Sequence, residues 1–434
     1  MSENPNDRPA RFRWLPPGAR PPIPLPYTQE LFFLLVGTTL LFGGYDLNIF
    51  GLALPQIQHS LNIPENHAGL TVSYFRLAAI PALLLALSAD LFGRRRLLLF
   101  TVFGEAVFTI LTAFAQDYHQ FVWLQVGARV FGYCEEILCF VVIAEEIDAG
   151  ARGWAVGALG AMGAVGAGLA SIAFAAVNIL PFGWRSLYVI GGAALLVLSY
   201  YRRLLPETAR FEQRKKELAL FTSRTRAMLD ALHGLITEYP ARLAAILLAV
   251  FAFGFAMGAP TVLMSKYLQH ALHYTPGEVT LLFVGGGLVA VAGNILAGRL
   301  SDRFGRKKAI FVLVLISGLG FAVFFSGAHG WAISVAWIFA VMGYLAGGSL
   351  LAGYPAELFP TAYRATVGGI RYLAWILSGA VGLALEGLFY DRFHAHGPAI
   401  MMSLLAIPVA LVCILFLPES AGRSLEDLSK HTVE

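Results

Sequence analysis

The chain has 434 residues, 57% of them hydrophobic and 13% charged, with a net charge of +4 and a mean hydropathy of +0.68. A soluble globular protein carries about 25% charged residues, so the composition excludes an ordinary water-soluble domain and points to the bilayer as solvent. The small net charge gives no reason to expect a nucleic-acid partner, and Cys134, Cys139 and Cys413, scattered through apolar stretches, give neither a disulfide framework nor metal-ligand spacing.

Residues 1–28 are polar and Pro-rich and read as a disordered cytoplasmic tail, with the first apolar run retained as a signal-anchor helix. Twelve apolar segments follow, at 31–54, 68–89, 97–115, 121–146, 154–180, 185–203, 243–264, 279–300, 309–327, 331–353, 367–389 and 398–417. Each is close to the roughly 20 residues a spanning helix needs. Runs of this length without period-2 alternation are helices, so the expected fold class is an all-α membrane protein of twelve transmembrane helices. With both termini inside, only Arg185, Lys266 and Arg392 of the 31 Lys and Arg fall in outer loops. Arg76, Arg129 and Arg371 fall within spans, and the rest are on the inner side. Basic residues stay cytoplasmic, which places both termini in the cytoplasm and the chain in the cell (inner) membrane.

A basic stretch at 204–242 separates the first six spans (29–203) from the last six (243–419), and 420–434 is a cytoplasmic tail. Within that linker Met228, Leu229, Leu232, Leu235 and Ile236 recur at helical spacing, either as an amphipathic helix on the inner leaflet or as part of a solvated hinge.

The chain repeats itself. "SADLFGRRR" (88–96) matches "LSDRFGRKK" (300–308), "AEEIDAGARG" (144–153) matches "AELFPTAYRA" (356–365), and "LPETAR" (205–210) matches "LPESAG" (417–422), all at an offset of 212 residues. Three motifs in one register define two copies of a six-helix unit in the same orientation, the arrangement of parallel repeats that rock about a midplane site.

The stretch Gly298–Lys308 resembles the loop motif of the major facilitator superfamily, G-x-x-x-D-R-x-G-R-R/K; the first copy departs from it at Ala86 and Leu91. The Glu…Arg pattern after spans 4 and 10, with "LPETARF" and "LPESAGRSLEDL" after spans 6 and 12, is similar to the sugar-porter and organic-ion-transporter (metabolite:proton symporter) branch. The resemblance implies two pseudo-symmetric bundles and a cytoplasmic gate built from Asp90, Gly93, Arg94, Glu145 and Arg152 in the first half and Asp302, Gly305, Arg306, Glu357 and Arg364 in the second. The alternative for these Arg residues is that they only enforce topology.

Charges inside the spans carry the functional argument. From the helical rise of about 1.5 Å per residue, Asp46 and Glu136 lie about 24 Å and Arg76 about 21 Å from the inner surface. Asp46, Arg76 and the pair Glu135/Glu136 thus share one level. Burying a charge there costs about 2.5–3.5 kcal/mol. Adding 212 lands on Gly258, Leu288, Gly347 and Gly348, so the repeat does not need these charges and function is the better reason for them; a buried ion pair that fixes packing is the alternative. Three acids against one base leave a surplus negative charge that a proton can neutralise. Asp46 and one of Glu135/Glu136 are the candidate proton carriers, with Glu136 preferred, and Arg76 is the counter-ion or anion-binding group. "GYDLNIFG" resembles the first-helix motif of proton-coupled sugar porters, where an Asp pairs with an Arg of the fourth helix. The candidate for that Arg, Arg129, sits about three residues off the pattern, so Arg76 is expected as the partner of Asp46.

Glu105 and Glu386 read as inter-helical polar contacts. Arg371, Tyr372 and Trp375 are candidates for the cavity lining, as are Asn294, Tyr344 and Ser349. The stripe Gly157, Gly160, Gly163, Gly166 and Gly168 reads as a close-packing face. The Gly-Pro motif of drug antiporters is missing from that span, which favours uptake. No H-E-x-x-H or G-x-S-x-G motif points to an enzyme, and no cofactor or metal is expected. The reading is a secondary active transporter, a monomer in the lipid bilayer, that moves a small polar solute by alternating access in proton-coupled symport. An organic anion is preferred as the small-molecule substrate; a proton-independent facilitator or exchanger, or a sugar:proton symporter, is the alternative.

Overall fold

The computed structural model describes residues 20–89, 93–148, 151–204, 232–360 and 363–420. Helices occupy all twelve expected spans. They are α1 (Tyr27–Leu61), the pair α2 (His67–Leu77) and α3 (Ala79–Leu87), α4 (Arg94–Thr112), α5 (Tyr118–Glu146), α6 (Arg152–Ala175) and α7 (Trp184–Tyr201). After the linker come α8 (Pro240–Ala271), α9 (Pro276–Phe304), α10 (Arg306–Phe325), α11 (Trp331–Leu358), α12 (Arg364–Phe393) and the pair α13 (His396–Leu404) and α14 (Ile407–Leu415). Nine of the spans among the described residues are long and apolar enough to cross a membrane by length and composition alone. The other three, α4, α5 and α7, are more polar, and α5 carries Arg129, Glu135 and Glu136.

Two spans are broken for one reason. Pro81 has no N–H to give the carbonyl of Leu77, where α2 ends, and Pro408 has none for Leu404, where α13 ends. The α5 start is capped by the Asp117 carboxylate, which accepts from the Gln120 N–H at 2.8 Å. A Thr275/Glu278 capping box opens α9.

The chain divides into two compact units, 1–62 with 78–218, and 63–77 with 219–434. The sequence reading placed 63–77 in the N-terminal bundle; by contact it groups with the second unit, where α2 lies along α12. In the first unit α1 packs on α6 and α7, α4 packs on α5 and α7, and α3 packs on α5. Part of the glycine stripe does this packing. A side chain at Gly166 would strike the carbonyl of Leu41, and one at Gly44 would strike that of Gly163. Backbone contact of this kind fixes α1 two residues before Asp46. Gly157, Gly160 and Gly168 have no such neighbour among the described residues. In the second unit α8 packs on α12 and α14, α10 on α11, and α9 on α11. The described end of the linker joins this unit: Leu235 is fully buried and the Tyr363 hydroxyl donates to Glu238 at 3.0 Å.

Candidate functional site

Among the described residues the first unit holds three buried carboxyl groups on three helices. Asp46 of α1 is 1% exposed and pairs with Arg129 of α5 at 3.2 Å. Arg129 also donates to the Asp46 carbonyl and to Gln125 Oε1, both at 3.2 Å. Thr109 of α4 donates to the other Asp46 oxygen at 3.2 Å. The expected partner is therefore corrected: Arg129, not Arg76, neutralises Asp46. Its guanidinium stands at the end of a long flexible stem, and such a side chain covers about one helical turn of depth. That reach absorbs the three-residue offset that counted against it.

Glu135 of α5 is paired with Arg202, accepts from Thr101 of α4, and accepts from the Cys139 thiol at 3.2 Å. Arg202 is completely buried and donates to Cys139 Sγ at 3.3 Å. Cys139 is thus a polar member of the site as well as a packing residue. Glu136, one residue on and about 100° round the helix, is half-buried and makes no hydrogen bond or ion pair among the described residues. Glu105 of α4 is 2% exposed, has one oxygen without a hydrogen-bond partner, and feels the charges of both ion pairs. Two carboxylates are thus compensated and two carboxyl groups are not.

The Glu135–Arg202 pair is a structural element with a measurable weight. Arg202→Met leaves a buried carboxylate without its cation, which costs about 3–5 kcal/mol. Arg202→Met lowers the thermal midpoint in detergent, and adding Glu135→Gln recovers most of the loss, since replacing both partners of a buried pair costs far less than removing one.

In the second unit three aromatic rings meet. Tyr344 of α11 stacks on Trp375 of α12 with centroids 6.2 Å apart, and Phe253 of α8 lies 5.8 Å from Trp375 and 6.4 Å from Tyr344. Arg371, Trp375 and Gly379 follow at four-residue intervals and share one face of α12. The Arg76 guanidinium of α2 fills the space that a side chain at Gly379 would take, and its charge reaches Tyr344. Arg371 has a buried Nε without a hydrogen-bond partner. Among the described residues neither Arg76 nor Arg371 makes an ion pair. Ser349 does not join this group: it is exposed and its hydroxyl donates to Leu345 O at 2.7 Å within its own helix. The side chain of Asn294 lies outside the described residues.

The loop motifs form one device twice. Arg94 pairs with Glu145, and Arg306 pairs with Glu357 at 3.1 Å, the same two positions 212 residues apart. Gly93 and Gly305 hold φ of 94° and 106°, where only glycine sits without strain, and each starts the next helix. Glu419 of the "LPES" motif accepts from the Arg306 N–H at 2.7 Å, a carboxylate on the N-terminus of α10. Ser420 donates to Glu357 at 2.6 Å. Arg364 donates to the carbonyl of Phe359 at 3.3 Å. Asp90 lies outside the described residues, as do the side chains of Arg152 and Asp302.

Models of known families match this chain over residues 35–264 and 246–432, both to the Major Facilitator Superfamily. The chain belongs to the major facilitator superfamily. A putative metabolite transport protein of Haemophilus influenzae is 27% identical over 405 residues, covering 90% of this chain and 97% of the relative. The cis,cis-muconate transport protein of Acinetobacter baylyi is 27% identical, covering 88% and 92%. The gallate transporter of Pseudomonas putida is 24% identical, covering 92% and 94%. The solved inward open structure of the xylose transporter XylE from E. coli superposes with a TM-score of 0.74 at 18% identity, covering 93% and 99%. This major facilitator protein is therefore a multi-pass membrane protein with the twelve-helix fold, and it is a secondary transporter that moves small solutes.

Sequence reasoning missed Arg202 and Lys266 as buried partners in this transporter. Both were counted as charges that set topology. Arg202 and Arg203 are adjacent, and helical rotation sends the first inward and leaves the second exposed.

Proposed function

We propose that this transporter takes up an organic carboxylate together with protons, working as a monomer in the cell membrane with both termini in the cytoplasm. The observation that carries the reading is the meeting of Phe253, Tyr344 and Trp375, with the Arg76 guanidinium at Gly379 and Arg371 one turn before Trp375 on the same face of α12, neither of them held by a carboxylate among the described residues. A planar carboxylate takes bidentate bonds from Arg, and a conjugated or aromatic body stacks on the rings. Relatives named for muconate and gallate transport fit this chemistry. The proton enters at the other unit. Protonated Asp46 is neutral and frees Arg129 from its ion pair, while Thr109 and Gln125 keep both side chains in place. Glu136 and Glu105 are further carboxyl groups on the same three-helix set, with no cation paired to them among the described residues. The paired Arg94–Glu145 and Arg306–Glu357 bridges act as matching gate contacts on the inner side.

The test is uptake into proteoliposomes under an imposed pH gradient, with a panel of conjugated and aromatic carboxylates, phosphate and xylose. Accumulation of a carboxylate that collapses with a protonophore is the expected result. Accumulation of xylose alone would replace the carboxylate reading by the sugar one. Carboxylate equilibration that ignores the pH gradient would leave a facilitator.

A further inference from the structure

We propose that Glu65, Lys266, His396 and Glu386 form a second proton-binding site, whose proton clamps the 63–77 segment onto α12. The four residues come from the turn before α2, from α8, from the start of α13 and from α12, all within the second unit. Glu65 is paired with Lys266. His396 Nδ1 lies 2.7 Å from Glu386 Oε1, and its Nε2 lies 3.3 Å from Glu65 Oε2. Lys266 and Glu386 are fully buried, and Glu65 is 40% exposed.

Both imidazole nitrogens face carboxyl oxygens, so each contact needs one hydrogen, and with both acids ionised the ring must supply both. The imidazolium supplies two donors and the neutral ring one. Charge gives the same answer. Two carboxylates and one ammonium leave one net negative charge, which the imidazolium cancels. Glu65 does not take the proton itself: burial opposes its charge, but hydrogen bonds from His396 and Lys266 prevail and hold its carboxyl at about 2. A depressed carboxyl keeps its stabilising charge above its ordinary range and loses it only in strong acid, so the neutral range leaves the imidazole as the titrating group. The other groups that face the cluster are His270 of α8 and Tyr390 of α12, with His273 beside His270 and Asp391 beside Tyr390. The Tyr390 ring lies 4.5 Å from that of His396. Neither Tyr390 nor Asp391 can replace the missing positive charge.

Loss of the proton leaves a buried carboxylate uncompensated. Glu386 already has one oxygen without a hydrogen-bond partner. Glu65, the more exposed acid, is the member that can leave for water. It sits on a segment held to α12 by close backbone approach, with Gly69 against the carbonyl of Leu383 and Gly387 against that of Asn66. Gly69, Ser73 and Arg76 fall on one helix face, so releasing Glu65 uncovers the stripe that ends in Arg76. The clamp stands apart from any role of Arg76 in substrate binding; only its consequence for transport rests on that reading.

The test needs no substrate. In nanodiscs, where both membrane faces are open to reagent, Ser73→Cys is alkylated with a charged maleimide. The rate is normalised to Arg392→Cys, an exposed position on the same α12. The normalised rate is expected to rise about tenfold from about pH 6 to about pH 8.5 as the clamp opens. Glu386→Gln removes the charge that the proton balances and keeps the rate low at both values. His396→Gln gives the fast rate at both. A Ser73→Cys rate that simply follows the control overturns the proposal, and that profile is read with all four cluster residues intact. A pH-dependent rise that survives His396→Gln overturns it as well.

Discussion

In proteoliposomes, Asp46→Asn lets substrate equilibrate across the membrane but no longer lets it accumulate. One pH unit is worth about 1.4 kcal/mol per proton, so one-to-one symport under such a gradient concentrates substrate about tenfold. The Asn side chain matches Asp46 in size and still accepts from Thr109, and Arg129, left without its carboxylate, keeps the residue-46 carbonyl and Gln125 as acceptors, so the variant is less stable but folded. What it lacks is the charge that answers Arg129. Accumulation falls to about onefold, while exchange of labelled for unlabelled substrate, which moves no net proton, continues. The paired measurement separates three readings. A facilitator shows no difference between the wild type and the variant in either assay. An ion pair that serves only packing loses both activities together with the thermal midpoint. A proton carrier loses accumulation and keeps exchange.

That Asp46 is a residue to mutate was legible in the sequence, because a lone charge in an apolar run needs a reason and the 212-residue repeat supplied a control without it. The repeat also foresaw the matched positions of Arg94 and Glu145 with Arg306 and Glu357, since a shared register puts equivalent side chains in equivalent places. The break before Pro81 was not foreseen, since 68–89 was read as one span, although its cause is local chemistry. Partner choice was not readable. Depth along a helix is known to a few residues, and Arg spans that range, so Arg76 and Arg129 were equal within error on depth and only azimuth decides between them. Azimuth depends on how helices are rotated in the bundle, which no single span encodes. The same blindness hid Arg202 and Lys266, and it is why Glu386 looked like an isolated polar contact when it belongs to a four-residue cluster. The grouping of 63–77 with the second unit is likewise a long-range contact, made through Gly69 and Gly387, that composition could not announce.

Arg76→Ala weakens binding of a carboxylate substrate by about tenfold to a hundredfold, the value of a charge-assisted hydrogen bond of about 1.5–3 kcal/mol. The guanidinium has no carboxylate partner among the described residues, so its removal leaves no orphaned acid and the fold is kept. Arg76→Lys restores charge without the planar fork and recovers part of the affinity. Gly379→Leu reaches the same end from the opposite side: a side chain there occupies the space of the Arg76 guanidinium and drives it from the aromatic group, leaving the charge count unchanged. If Arg76 binds the substrate, both changes raise the KM for uptake more than they lower its maximal rate, and Trp375→Ala, which removes the ring that meets both Tyr344 and Phe253, adds to the loss. If Arg76 only stabilises the membrane segment that carries it, Arg76→Ala lowers the thermal midpoint and Gly379→Leu does so further, with KM unchanged in the protein that remains folded. A substrate without negative charge gives a third pattern, in which Trp375→Ala costs affinity and Arg76→Ala does not. Measuring KM beside the melting point for these variants therefore decides whether this guanidinium holds the substrate or holds the helix.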